Sequence, residues 1–85
     1  MHLKVLYFAQ LREKFGLAEE AVHAPDSVQT IDDLMQHLAT RGGVWQDTLG
    51  GQYAFRVAMN QEIVSQQAAL VEGAEVAIFR PVTGG

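Results

Sequence analysis

Apolar and polar residues alternate with a period of two in three stretches of this chain and recur near every 3.6 residues in one. Residues 2–9, HLKVLYFA, are rich in β-branched and aromatic side chains and predict a strand. Leu3, Val5 and Tyr7 fall on one face of it, Lys4, Leu6 and Phe8 on the other. In residues 53–60, YAFRVAMN, Phe55, Val57 and Met59 point inward and Arg56 outward. In residues 75–80, EVAIFR, Val76 and Ile78 point inward, Ala77 and Phe79 outward. Weaker strands are expected at 18–24, AEEAVHA, and at 62–65, the latter entered through an Asn60-Gln61 turn.

The helical period lies between Ile31 and Arg41, where Ile31, Leu34, Met35 and Leu38 follow the i, i+3, i+4, i+7 pattern. Thr30 with Asp33 three residues on resembles a capping box, Asp replacing the usual Glu. Asp32 and Asp33 occupy the first turn, where the helix dipole favours negative charge, and Gly42-Gly43 ends the helix after Arg41. Shorter helical turns are expected at 10–15, closed by Gly16, and at 44–49.

The expected order is β-β-α-β-β-β with one main amphipathic helix laid across a mixed sheet. The first and last strands are expected side by side at the sheet centre, joined by a right-handed crossover. This is an α+β fold of the β-grasp, or ubiquitin-like, kind, over residues 1–80, with residues 81–85 as a tail.

Composition narrows the function classes. The chain has 85 residues, 48% of them hydrophobic, which fits one domain with a single core. Net charge is −4, and the six basic residues (Lys4, Arg12, Lys14, Arg41, Arg56, Arg80) are dispersed, which argues against a nucleic-acid surface. With no cysteine there is no disulfide, thiolate nucleophile or cysteine-built metal site. The first twenty residues carry charges throughout, so neither a signal peptide nor a membrane span is expected, and the cytoplasm is the default compartment.

Side-chain chemistry is sparse. His2, His23 and His37 are far apart in sequence and read as surface residues, Asp32 and Asp33 as capping acids, and Glu19-Glu20, Glu72 and Glu75 as solvated strand ends. Gly42-Gly43 and Gly50-Gly51 lack the flanking residues of a phosphate loop. No metal site and no nucleophile–base pair is recognisable, so the chain does not read as an enzyme on its own.

Two features remain. Phe8 and Phe79, extended by Leu6, Ala58, Ala77 and Ile63, would leave an apolar surface on the sheet face away from the helix, where alternation should leave polar residues. It is either a docking surface or is covered by the 44–49 segment with Trp45. The second feature is the ending, Arg80-Pro81-Val82-Thr83-Gly84-Gly85. Terminal glycines bury nothing and cost the most entropy to order. They offer a thin ribbon ending in a carboxylate, able to enter a slot that any Cβ would block.

The segments VLYFAQLREKFG, TIDDLMQHLATRGG, VAMNQEIV and EVAIFRPVTGG, in this order, resemble the small subunit of molybdopterin synthase, the MoaD-type sulfur carriers of the ubiquitin-like superfamily. The resemblance covers essentially the whole chain; Arg80 departs from it, standing where family members often carry a second proline. It implies that an adenylating enzyme uses ATP to activate the Gly85 carboxylate, that sulfur replaces AMP to give a C-terminal thiocarboxylate, and that Gly84 provides clearance. The sulfur would then pass to a cyclic pyranopterin monophosphate in the large synthase subunit, within a heterotetramer of two small and two large subunits, to build the dithiolene that binds molybdenum. No cofactor would be held stably. Phe8, Ile63 and Phe79, with Arg80, Pro81, Val82 and Thr83, would contact the partners. Related alternatives are a carrier for thiamine synthesis or tRNA thiolation, and a ubiquitin-like modifier.

Overall fold

A computed structural model describes residues 1–81. Its elements are β1 (His2–Tyr7), α1 (Gln10–Phe15), β2 (Glu19–His23), α2 (Ile31–Ala39), α3 (Val44–Leu49), β3 (Arg56–Met59), β4 (Glu62–Val64) and β5 (Glu75–Phe79). The strands form one sheet in the order β2-β1-β5-β3-β4. β1 and β5 run parallel at its centre, with Val5 opposite Val76 and Tyr7 opposite Ile78. The other neighbours pair antiparallel. Among the described residues no helix is long and apolar enough to cross a membrane.

The capping box at Thr30 forms: its side chain accepts from the Asp33 N–H at 3.1 Å, and Asp33 accepts from the Thr30 N–H at 3.1 Å. Asp33 also accepts from the Gln29 N–H, and these backbone donors hold its carboxyl below the ordinary aspartate value. Burial follows the helical pattern, with Ile31, Leu34 and Leu38 fully enclosed. They meet Leu3, Val5, Tyr7, Val57, Val76 and Ile78 from one sheet face, joined by Leu11 and Phe15 of α1 and Leu49 of α3. All three helices therefore cover the same face. The helix ends two residues before its expected limit: Thr40 is the C-cap and its hydroxyl donates to the His37 carbonyl at 2.6 Å. Arg41 is thereby freed from the helix.

Two turns of one geometry start the short helices. Gly43 precedes α3 with φ 53° and ψ −130°, and the Trp45 N–H donates to the Gly42 carbonyl at 3.1 Å. Ala9 precedes α1 with φ 49° and ψ −118°, and the Leu11 N–H donates to the Phe8 carbonyl at 3.0 Å. Both first central residues have the type II′ conformation, which glycine adopts freely and a Cβ resists. Ala9 is thus a strained residue, at a cost of about 1–3 kcal/mol. At the β3–β4 hairpin, Asn60 and Gln61 have φ 52° and 70°, both positive as a type I′ turn requires. We expect Ala9→Gly to stabilise the fold by roughly 1 kcal/mol in urea denaturation, because it removes this strain.

Candidate functional site

On the face away from the helices, the strand registers line up one row across four strands. Leu6 of β1 is opposite Ala77 of β5, Ala77 opposite Ala58 of β3, and Ala58 opposite Ile63 of β4. Period-two alternation puts these residues on the outer face because Val5, Tyr7, Val57, Val76 and Ile78 fill the inner one. Ile63 is 57% exposed at the edge of the row. Phe79 is half-buried and pairs with Arg56. Phe8 follows directly on Tyr7, whose partner is Ile78, so it lies at the same end of the sheet as Phe79; it is 48% exposed. The chain leaves β5 at that end through Arg80 and Pro81.

Trp45 does not cover this surface. Its ring stacks on Phe15 with centroids 3.8 Å apart and meets Tyr7 edge-on at 5.7 Å, both on the inner face. Of the two fates open to the outer residues, covering by the 44–49 segment is not the one observed, since α3 packs on the helix side. Phe8 and Ile63 are exposed, Leu6, Ala77 and Phe79 half-buried, and Ala58 is buried between its strand neighbours. Charges border the row, with Lys4 bridging to Glu19 at 3.1 Å on β2.

Arg80 is exposed, but its guanidinium lies against aromatic rings. Its guanidinium carbon sits 4.8 Å from the Tyr53 ring centroid and 5.8 Å from that of Phe55. Tyr53 carries no motif signal; only its adjacency to Phe55, an inward residue of the same register as Arg80, hints at the contact. The expected reactive residues Gly84 and Gly85, and the contact residues Val82 and Thr83, lie outside the described residues.

Elsewhere, the structure brings together residues expected apart. Glu20 is not a solvated strand end. It accepts from the Tyr7 hydroxyl at 2.6 Å and takes both guanidinium nitrogens of Arg41, at 2.8 and 2.9 Å. Arg41 in turn lies 4.4 Å above Trp45. Burial raises the Glu20 carboxyl, but the Arg41 and Tyr7 hydrogen bonds and the Arg41 charge outweigh it, so its pKa is lowered. Burial, then the neighbouring Glu20, pushes the Tyr7 hydroxyl above the ordinary tyrosine range. Glu72 likewise accepts the His2 N–H at 2.8 Å, which lowers its carboxyl. His2 and His23, far apart in sequence, are opposite on β1 and β2 and stack at 4.2 Å. Among the described residues, no three His, Asp or Glu side chains group to hold a metal ion. The titratable clusters tie elements together and leave the apolar row and the chain end as the features suited to recognition.

A family model described as the ThiS family matches residues 5–85. The molybdopterin synthase sulfur carrier subunit of Haemophilus influenzae is 39% identical over 83 residues, covering 98% of this chain and 99% of the relative. The protein of that name from Escherichia coli K12 is 40% identical over 83 residues, with the same coverage. The crystal structure of SAMP1 from Haloferax volcanii has a TM-score of 0.78 at 27% identity, over 100% of both chains.

Replacing Glu20 with Ala strands the Tyr7 hydroxyl and should cost about 1–3 kcal/mol at neutral pH. Because the folded carboxyl titrates below the ordinary 4.5, the contribution is full above that value and fades as pH falls through the folded pKa. Urea denaturation of wild type and Glu20→Gln at a series of pH values should show their difference shrinking below 4.5.

Proposed function

The chain belongs to the ThiS family, and from that premise we propose that it is a sulfur carrier serving molybdopterin synthesis. One observation carries the reading: identity near 40% to proteins named molybdopterin synthase sulfur carrier subunits runs over 98% of the chain. The domain is the handle, and residues 81–85 are the working arm.

The chemistry follows from what a carboxylate lacks. A Gly85 carboxylate is a poor electrophile, so an oxygen of it must first attack the α-phosphorus of ATP and expel pyrophosphate. The mixed anhydride so formed reacts with the terminal sulfur of a persulfide, and AMP leaves. A thiol then attacks the inner sulfur of the resulting acyl disulfide, which releases the thiocarboxylate and a new disulfide. Because the chain has no cysteine, its own side chains cannot compete for the sulfur. Gly84 and Gly85 keep the thioacid slim enough for a narrow active site, and Pro81 restricts the chain where it leaves β5. The adenylating enzyme and the large synthase subunit are the partners, the latter presenting the pyranopterin that accepts the sulfur. The chain itself supplies no catalytic group, and no cofactor stays bound.

The outer row fits the docking role. An apolar row with Ile63 exposed at its edge, and Phe8 exposed at the sheet end where the arm departs, lets a partner bury both surface and arm together. The first test is intact mass after incubation with the adenylating enzyme, ATP and a sulfur donor. The expected gain is one oxygen-for-sulfur exchange, lost when Gly85 is deleted or one residue is added after it. An unchanged mass removes the reading, and recovery of Gly85 in isopeptide bonds to many proteins replaces it with a modifier. The second test is Ile63→Asp, which should weaken binding to the large subunit about tenfold. Its folding stability should stay within about 0.5 kcal/mol of wild type.

A further inference from the structure

Arg80 is the last residue before Pro81, and its side chain has three places to go: into solvent, over the outer apolar face, or toward the helix side. The residue stays exposed, with its guanidinium turned in the third direction against the Tyr53 and Phe55 rings. Phe55, 8% exposed, is fixed in the core and forms the floor of the contact. Tyr53, 48% exposed, forms the nearer wall, 4.8 Å from the guanidinium carbon. Both rings come from the segment that leads into β3, the strand that pairs with β5 up to Arg56↔Phe79. The seat is therefore anchored to the same sheet as the strand whose end it holds.

We propose that Tyr53 and Phe55 form an aromatic seat for Arg80 and that Tyr53 is a positioning residue for delivery of the chain end. This rests on the sulfur-carrier reading. Two effects act together. The proline that follows confines the Arg80 backbone to extended conformations, and the cation–π contact selects among them. The seat also draws the positive charge to the helix side, away from Phe79 and the row that includes Ala77 and Ala58. A partner docking on that row then need not desolvate the Arg80 guanidinium as well as that of Arg56, which pairs with Phe79 on the same face. A second proline would achieve the first effect by covalent restriction; Arg80 with Tyr53 achieves it by a contact that can be removed.

Such a seat changes the fraction of molecules whose arm leaves in the productive direction, not the chemistry of the arm. Its loss should raise KM and leave kcat unchanged. The experiment is ATP–pyrophosphate exchange by the adenylating enzyme of the same organism, with this protein as the varied substrate. Tyr53→Leu should raise KM about two- to fivefold, the range of an exposed cation–π contact. Tyr53→Phe, which keeps the ring, should restore the wild-type KM. In parallel, the Arg80 Nε–H resonance should carry a ring-current shift in wild type and Tyr53→Phe that disappears in Tyr53→Leu. An unchanged KM in Tyr53→Leu, or an equal rise in Tyr53→Phe, overturns the proposal, as does a fall in kcat alone. If wild type supports no exchange at all, the sulfur-carrier reading and the positioning role fall together, and the Nε–H shift still decides whether the seat exists.

Discussion

The parallel pairing of β1 with β5 is the constraint on which the other contacts depend. It joins the two ends of the chain across the sheet centre, and everything between them must fit the crossover it defines. Val5, Val76 and Ile78 have no exposure at all, and Tyr7 is 1% exposed. These four residues meet the stripe of α2, so sheet register and helix packing fix each other. A slip of one residue would exchange the buried set for Lys4, Leu6, Glu75 and Ala77. The same register that buries the inner face writes the outer row, which is why an apolar outer row and a core arise from one pattern.

A second tie closes the helix side. Arg41, released by the early end of α2, joins Glu20 and through it the Tyr7 hydroxyl, while its other surface rests on Trp45. A hydroxyl placed in an apolar wall needs a partner, and the carboxylate of β2 provides one. The cluster links β1, β2 and the segment after α2, three elements that the apolar core alone would hold less specifically.

The strands, the capped helix and the inward residues were legible in the sequence because each depends on local spacing. Leu3, Val5 and Tyr7 face in, as alternation requires, and Thr30 and Asp33 form the box their spacing predicts. The central position of β1 and β5 followed from chain order and handedness. What the sequence did not reveal are contacts between residues with no mutual spacing. Glu20 read as a solvated strand end, because its partner lies 21 residues away beyond a helix. The His2–His23 stack depends on strand register, which follows from pairing and not from the histidines themselves. Ala9 gave no warning of its positive φ, since alanine is the wrong residue for that turn. Tyr53 read as the start of the alternating 53–60 strand, but β3 begins only at Arg56, and the contact with Arg80 has no spacing in the sequence.

The parallel centre also has a mechanical meaning. β5 is flanked on both sides, by β1 and β3, and the chain continues from its C-terminal end through Arg80 and Pro81. A pull on the chain beyond Phe79, such as a threading machine would exert, runs along the strand axis. The hydrogen bonds on both flanks are then loaded in shear and share the force, whereas an edge strand such as β4 would peel open one bond at a time. The strand from which the C-terminal residues continue is thus the one best placed to resist being dragged out by them.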